Sequence, residues 1–224
     1  MRRFARDNGL SLFFFAIFVA ALAGQAIAGH ADFNHQQVAH HGQQISFLRY
    51  LVSNDFAANV TENWQSEYLQ FTLFVVTAVW LVQRGSTESK APGEEGGESD
   101  EAQLVGEHAR PDSPAWARAR GVRTAIYSNS LLIAMLAIFL ASWLVQSLTG
   151  HVAYNAEQLD HQEAPVSWVA YLGTADFWDR TLQNWQSEFL AVGSMAVFSV
   201  YLRQRGSPQS KPVGASHEVT GVEG

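Results

Sequence analysis

The stretch LSLFFFAIFVAALAGQAIA, residues 10–28, decides the fold class because it contains 19 residues without a single charge. A helix needs about 20 such residues to cross the hydrocarbon core of a bilayer, which is about 30 Å thick. Three further segments could also cross a bilayer: residues 127–149 and, more marginally because their purely apolar parts are shorter, roughly 64–82 and 185–202. The sequence therefore predicts an all-α integral membrane protein with four transmembrane helices.

The basic residues predict how these four spans are oriented. Twelve of the fourteen Lys and Arg residues precede the first span, lie between the second and third, or follow the fourth. Only Arg49 and Arg180 fall in the other two loops. Because cytoplasmic loops carry an excess of Lys and Arg, we expect both termini and the central linker to be cytoplasmic. The net charge of -7 comes largely from this acidic linker and indicates no particular partner.

An internal repeat organises the rest of the chain. NWQSEYLQ at residues 63–70 returns as NWQSEFLA at residues 184–191, an offset of 121 positions. The same offset aligns residues 8–90 with 129–211 at 32 identities over 83 positions, including QRGS after each second span. Two parallel repeats of a helical hairpin are expected, related by a pseudo-twofold axis along the membrane normal.

The predicted domains follow from this repeat and from the polar composition between and after its copies. They are a first transmembrane hairpin at residues 1–85, a flexible acidic cytoplasmic linker at 86–123, a second hairpin at 124–206 and a disordered cytoplasmic tail at 207–224. An alternative is that the first 28 residues form a secretory signal cleaved after Ala28. The repeat argues against cleavage, because the third span occupies the position in the second copy that the first span occupies in the first copy.

Each octapeptide is expected near the outer end of a helix that begins in the outer loop, with Asp55 or Asp176 as a plausible N-cap. One side of that helix carries polar side chains and another carries aromatic rings suited to the membrane interface. The hypothesis is that Gln25 and Gln146 hydrogen-bond these polar faces, with the carboxylates turned inward. The predicted packing or ion site comprises Asn63, Ser66, Glu67, Asn184, Ser187, Glu188, Gln25 and Gln146, with Trp64 and Trp185 as interfacial anchors.

Two roles are open for the paired Glu67 and Glu188. They are either interfacial carboxylates in a structural protein or a proton or cation site of a small transporter or channel. Weak metal candidates are the histidines that occur in both copies, His30, His40, His151 and His161, but their spacing is not that of a tight metal site. Solvated or interfacial histidines are the favoured interpretation, so neither a metal nor a cofactor is predicted.

Several classes of function have no support in the sequence. No HExxH, G-x-S-x-G, P-loop or dinucleotide motif occurs, so no enzyme activity is predicted. Nucleic-acid binding lacks an extended basic surface. The chain has no cysteine, which rules out disulfides and cysteine metal sites within it. The expected partners are the lipid bilayer and, in addition, a second copy of the chain or another membrane protein.

The duplicated NWQSE, the QRGS after each second span and the YSNSLL that opens the second half are similar to a family of small bacterial membrane proteins known only as a domain of unknown function. The resemblance covers nearly the whole chain. It implies a bacterial inner-membrane location and carries no activity.

Overall fold

The computed structural model describes residues 2–222, and these residues form eight α-helices, one short 3₁₀ turn and no strand. The all-α prediction is confirmed. In chain order the elements are α1 (Arg2–Asp7), α2 (Gly9–Ala39), α3 (Phe47–Leu51), α4 (Asn54–Thr77), the 3₁₀ turn Gly106–His108, α5 (Val122–Ser128), α6 (Ser130–Asp160), α7 (Trp168–Tyr171) and α8 (Ala175–Tyr201).

Two helices in the described part of the chain are long and apolar enough to cross a membrane, α2 and α6, each of 31 residues. Both continue 11 residues past their predicted ends at residues 28 and 149. Gly29 and Gly150 do not interrupt them, because a single glycine within a helix costs only about 1 kcal/mol relative to alanine. At about 1.5 Å per residue, each helix is about 46 Å long, which exceeds the thickness of about 30 Å of a hydrocarbon core.

The helix at the second predicted span is shorter than the apolar sequence suggests. Although hydrophobic residues continue to position 82, α4 ends at Thr77. The Thr77 hydroxyl donates to the Leu73 carbonyl at 2.7 Å, and the chain then turns, with Trp80 N–H donating to the Thr77 carbonyl at 3.0 Å. Only ten helical residues follow Glu67, which is about 15 Å. At the fourth predicted span, α8 ends at Tyr201, next to its predicted end.

The start of α8 also differs in detail from the prediction. Its N-cap is Thr174, whose hydroxyl accepts a hydrogen bond from Phe177 N–H at 3.3 Å. Ser53 accepts from Phe56 N–H at 3.2 Å at the matching position before α4. Because a hydroxyl already caps the helix, Asp176 lies in the first turn and its carboxylate is available for other contacts.

Two compact units make up the structure. The first comprises Met1–Val60 and Val145–Trp168, and the second comprises Thr61–Leu144 and Val169–Gly224. Within the first unit, α2 packs against α3 around the buried ring of Tyr50. Within the second, Phe139 and Trp143 on α6 stack at 5.5 Å, and Trp143 packs against Phe177 and Trp185 of α8, each at 6.1 Å.

Candidate functional site

A histidine and an asparagine one turn apart on α2 fix the loop that follows this helix. Asn34 Oδ1 accepts from Ile45 N–H at 2.8 Å, and Asn34 Nδ2 donates to the Ile45 carbonyl at 3.0 Å. His30 Nε2 lies 2.8 Å from the same carbonyl, so this nitrogen must carry a proton to form the bond. Both backbone groups of Ile45 are thereby satisfied outside any helix or strand.

The same arrangement occurs on α6. Asn155 Oδ1 accepts from Val166 N–H and Asn155 Nδ2 donates to the Val166 carbonyl, both at 2.9 Å. His151 Nε2 lies 2.8 Å from that carbonyl. These two groups, each a His, an Asn and a loop residue, are called the loop clips below. Because both rings are engaged with main-chain oxygen atoms, the repeated histidines have a structural role in the clips.

Tyr50 is the centre of the packing beside the first clip. Its side chain is buried, with ring centroids 5.8 Å from His30, 5.7 Å from Phe33 and 5.4 Å from Phe56. The Tyr50 hydroxyl approaches the backbone of Gly29 so closely that a β-carbon there would clash with it. A glycine is therefore required at this position by a close approach.

The candidate metal ligands are not gathered into a metal site. Within residues 2–222, no three His, Cys, Asp or Glu side chains form a group able to hold an ion. His40 and His161 are exposed, whereas His30 and His151 are half-buried in the clips. The described residues thus offer no ligand set for a metal.

A cluster of charged side chains links α4 to α8. Arg180 Nη1 donates to Glu62 Oε1 at 3.2 Å, and Arg180 Nε donates to Asp176 Oδ1 at 3.1 Å. The Tyr171 hydroxyl donates to the other oxygen of Asp176 at 3.1 Å. We call Glu62, Tyr171, Asp176 and Arg180 the charged cluster. The Glu62 side chain is only 13% exposed, so its ion pair is partly desolvated.

Burial and charge act in opposite directions in this cluster. Burial raises the pKa of the Glu62 carboxyl, while the Arg180 charge lowers it by less. Burial lowers the pKa of the Arg180 guanidinium, but its bonds to Asp176 and Glu62 outweigh this and raise the pKa overall. Burial also raises the pKa of Tyr171, and the neighbouring Asp176 raises it further. The cluster therefore holds a fixed positive charge beside a carboxyl group that is easier to protonate than usual.

Sequence reasoning missed this cluster, although a signal for it exists. Tyr171 and Asp176 are identical in the two copies, but Arg180 takes the place of Asn59, and Glu62 corresponds to Gln183. Each copy thus carries a charged residue where the other has a neutral one, Glu62 in the first copy and Arg180 in the second. These two residues form an ion pair between the copies. A comparison of the copies for identical residues misses this cluster, because its two oppositely charged residues lie at positions where the copies differ.

Within the first octapeptide, the buried residues are Gln65 and Ser66, whereas Glu67 is exposed. The Gln65 amide oxygen accepts from the Trp185 indole N–H at 2.8 Å. Successive helical residues are about 100° apart, so the helix that buries Gln65 and Ser66 directs Glu67 to the outside. The expectation of an inward carboxylate is not met at this position. Gln65, absent from the predicted site, also makes a contact between the two copies.

In the second octapeptide, the predicted residues bond mainly to their own helix. Asn184 Nδ2 donates to the Arg180 carbonyl at 2.9 Å, and Ser187 donates to the Asn184 carbonyl at 2.9 Å, as Ser66 does to Asn63 at 2.8 Å. Glu188 is half-buried and close enough to Glu67 for their charges to interact. These polar faces are therefore largely satisfied locally.

The two glutamines of the proposed network have different surroundings. Gln25 is half-buried. Gln146 is fully buried, and neither its amide oxygen nor its nitrogen has a hydrogen-bond partner among residues 2–222. Of the two predicted interfacial anchors, Trp64 is 39% exposed and Trp185 is half-buried.

The QRGS segments begin two similar loops. Ser89 Oγ accepts from Gln83 N–H at 2.9 Å in the first loop, and Ser210 Oγ accepts from Gln204 N–H at 2.8 Å in the second. Gly85 and Gly206 adopt left-handed backbone conformations, with φ of 86° and 78°. The repeated serine, five residues after the repeated arginine, thus closes each loop on its own backbone.

A buried lysine at the end of the second loop fastens the C-terminal segment. Lys211 is 1% exposed, and its ammonium group donates to the carbonyls of Gly85 at 2.6 Å, Ser216 at 3.3 Å, His217 at 2.9 Å and Val219 at 3.2 Å. We call these four oxygens and Lys211 the lysine cage. Thr220 Oγ1 accepts from Gly85 N–H at 2.8 Å beside it. The tail is thereby joined to the loop after α4.

Comparison with known proteins identifies the family and no activity. Residues 1–222 match the family described as Domain of unknown function (DUF6766), and the chain belongs to this family. The predicted resemblance to a family of unknown function is confirmed. No curated protein and no solved structure matches the chain.

Proposed function

We propose that this family member is a four-span protein of a bacterial inner membrane, built from two repeated hairpins, and that it acts by packing with itself or with another membrane protein. The observation that carries this proposal is the exposure of Leu10, Phe13, Phe14 and Phe15 on α2, at 75%, 60%, 59% and 63%. Three consecutive phenylalanines on a helix point in three directions. Because burying one such side chain is worth about 1.5–3 kcal/mol, this helix favours an apolar environment on every side.

A secretory signal does not account for α6, which has the same length and apolar character within the chain. The repeat supports treating both halves alike: α2 and α6 begin 121 residues apart and end 121 residues apart. The loop clips recur at the same offset. The proposed second and fourth spans begin near Trp64 of α4 and near Trp185 of α8 and include the residues that follow these helices, and they would cross a locally thinned bilayer or be shielded by other helices.

The proposed orientation places the linker and both termini in the cytoplasm, as the basic residues favour. Reporter fusions after Arg84 and after Gly224 test it, with the expectation of a cytoplasmic signal from each. An external signal from either fusion would contradict the orientation. Retention of the chain in alkaline-washed membranes is expected as well, and its release into the wash would contradict integral insertion.

An interaction role predicts a defined assembly. Step-counting of a fluorescent fusion in native-lipid nanodiscs should give a constant copy number above one, or a constant stoichiometry with a co-purified membrane protein. A uniform population of single chains without companions would contradict this role.

Transport is a second candidate because Glu67 and Glu188 are close enough for their charges to interact. Paired carboxylates within spans often mark ion pathways. Proton- and cation-flux assays in liposomes, comparing the wild type with the double Glu→Gln variant, separate the candidates. Flux that falls to background in the variant supports transport, whereas equal background flux from both proteins removes transport of the ions tested.

A further inference from the structure

The chain that leads into α6 carries an exposed basic surface, although the protein as a whole has a net charge of -7. Residues 110–123 contain one acidic residue, Asp112, and four arginines, Arg110, Arg118, Arg120 and Arg123. All four arginines are exposed, and the ion pairs within residues 2–222 include none of them. The positive charge of this segment is therefore available to a partner outside the chain.

Hydrogen bonds hold part of this segment in a defined turn beside α5. Thr124 Oγ1 donates to the Trp116 carbonyl at 3.2 Å, which brings the two ends of residues 116–124 together. Gly106 N–H donates to the Ala117 carbonyl at 2.8 Å, and Ala117 is buried. We call residues 116–124 the arginine loop. Because the loop is closed on itself, its arginines are presented from one small region of the surface.

Apolar side chains are exposed beside these arginines. Trp116 is 48% exposed, Val122 is 74% exposed and Ile126 is 44% exposed. Val122 and Ile126 are four residues apart on α5 and lie on the same face of that helix. Tryptophan and basic residues together are typical of the membrane interface, where the indole ring lies at headgroup level and guanidinium groups meet lipid phosphates.

The distance from the predicted third span agrees with a position at this interface. Arg123 precedes Tyr127, the first residue of that span, by four residues, and both belong to α5. Four residues at helical rise cover about 6 Å. The headgroup layer on each side of a bilayer is about 5–8 Å thick, so Arg123 lies within it if α6 spans the membrane.

One of the three arginines in the loop has negatively charged neighbours. Arg120 lines a cleft together with Asp100 and Glu107, although it forms no ion pair with either within the described part of the chain. Glu107 contacts His108 at 3.8 Å. These carboxylates reduce the attraction of Arg120 for an anion, whereas Arg118 and Arg123 are not among the residues of this cleft.

We propose that the arginine loop binds the headgroup of an anionic phospholipid. Arg118 and Arg123 contact the phosphate, which suits the planar fork of donors that a guanidinium group presents. Arg118 Nη1 donates to the Pro111 carbonyl at 3.4 Å, and its other nitrogens face no partner within residues 2–222. Trp116 packs against the upper part of the acyl chains. The inference rests on the proposed span at α6, but it does not depend on which side of the membrane the loop occupies.

Native mass spectrometry of the full chain in detergent tests the preference for an anionic headgroup. The probes are phosphatidylglycerol and phosphatidylcholine with the same short acyl chains, so that only the headgroup charge differs. A basic residue near an anionic surface contributes about fivefold in affinity. With two such arginines, we expect phosphatidylglycerol to bind about 25-fold more tightly than phosphatidylcholine. Equal affinities for the two lipids would overturn the proposal.

Variants locate the binding. Arg118→Gln with Arg123→Gln should remove most of the preference for phosphatidylglycerol, while Arg118→Lys with Arg123→Lys should retain most of it because the charge is kept. The matched control is Arg3→Gln with Arg6→Gln, since both of these arginines already pair with Asp7, at 3.5 Å and 3.2 Å. This control should leave the preference unchanged. An unchanged preference in the first pair of substitutions, or an equal loss in the control, would refute this site.

Salt dependence tests the same contact on the wild-type protein and so decides the case if the glutamine variant does not fold. Raising the salt concentration from about 0.1 M to about 1 M shortens the screening length from about 10 Å to about 3 Å. The preference for phosphatidylglycerol should therefore fall toward that for phosphatidylcholine. A preference that is insensitive to salt would contradict a charge contact.

The lipid measurement and the topology measurement can fail separately. Binding in detergent does not require any orientation in a membrane, so an external signal from the reporter fusion after Arg84 would refute the proposed orientation alone. Equal affinities for the two lipids together with cytoplasmic reporter signals would refute the lipid site alone.

Discussion

Replacing Lys211 with methionine should detach the C-terminal segment while leaving the helices folded. Lys211 is 1% exposed, and its ammonium group donates to four main-chain oxygens, of which Gly85 at 2.6 Å and His217 at 2.9 Å are the shortest contacts. A hydrogen bond from a charged group contributes about 1.5–3 kcal/mol. Methionine has a similar length and no donor, so the oxygens must be rehydrated by release of the tail.

The cost of burying the ammonium offsets part of this gain, leaving a net effect of about 3 kcal/mol. Since about 1.4 kcal/mol corresponds to a factor of ten, the amides of Gly85 and Gly221 should exchange hydrogen about 100-fold faster in the variant. In the wild type these amides donate to Thr220 Oγ1 and to the Ser86 carbonyl. Hydrogen-exchange mass spectrometry of peptides covering residues 83–90 and 207–222 measures the change.

Lys90→Met is the matched control, because Lys90 occupies the corresponding position in the first copy. Its side chain is 26% exposed and contacts one main-chain oxygen, Gly96 at 2.9 Å, and the Glu98 carboxylate at 3.0 Å. Exchange of the tail should be unaffected by this control. Rapid exchange of the wild-type tail, or equal exchange in wild type and Lys211→Met, would refute the cage and support the disordered tail that the sequence predicts.

The remaining predictions concern the charged cluster and the first loop clip. Burial raises the pKa of Glu62 in the folded state, so its contribution to stability is complete below the unfolded pKa of about 4.3 and is lost as pH rises through the higher folded value. The melting temperature of Glu62→Gln minus that of the wild type should therefore increase from pH 4 to pH 7. A difference that stays constant or decreases over this range would contradict the reasoning. Asn34→Ala should lower the unfolding free energy by about 1–3 kcal/mol because the Ile45 N–H loses its partner and the Ile45 carbonyl keeps only His30, and a denaturation midpoint equal to wild type would refute the clip. Gly29→Ala should be destabilised by about 1–3 kcal/mol by its clash with Tyr50, while Gly24→Ala, which has open space, should be neutral or stabilised; equal thermal midpoints for the two variants would contradict the close approach.

Helix positions followed from the sequence wherever hydrophobic composition alone determines them. The run at residues 10–28 and its counterpart at 127–149 predicted the central parts of α2 and α6, because a long apolar segment without charges indicates a helix. The end of α4 at Thr77 was not predictable in the same way. Hydropathy continues to position 82, but the local bond from Thr77 to Leu73 and the turn at Trp80 end the helix first.

Contacts between two side chains leave a pattern in the sequence, whereas contacts between a side chain and the main chain do not. The repeat drew attention to His30, but its partner is the main-chain carbonyl of Ile45, which leaves no pattern in the sequence. The lysine cage was hidden for the same reason, since every residue has a carbonyl oxygen. The pair of Arg180 with Glu62 was visible only as a difference between the copies, and identities alone had directed attention to Glu67.

The central claim, a multi-pass protein with its linker and tail on one side of the membrane and two loops on the other, is tested most directly by labelling single cysteines. The chain contains no cysteine, so each introduced thiol is the only one present. In intact spheroplasts, a membrane-impermeant maleimide should label Gln44→Cys and Ala164→Cys. It should label Asp112→Cys and Val213→Cys only after lysis. Labelling of either cytoplasmic position before lysis, or protection of both loop positions, would contradict the four-span account.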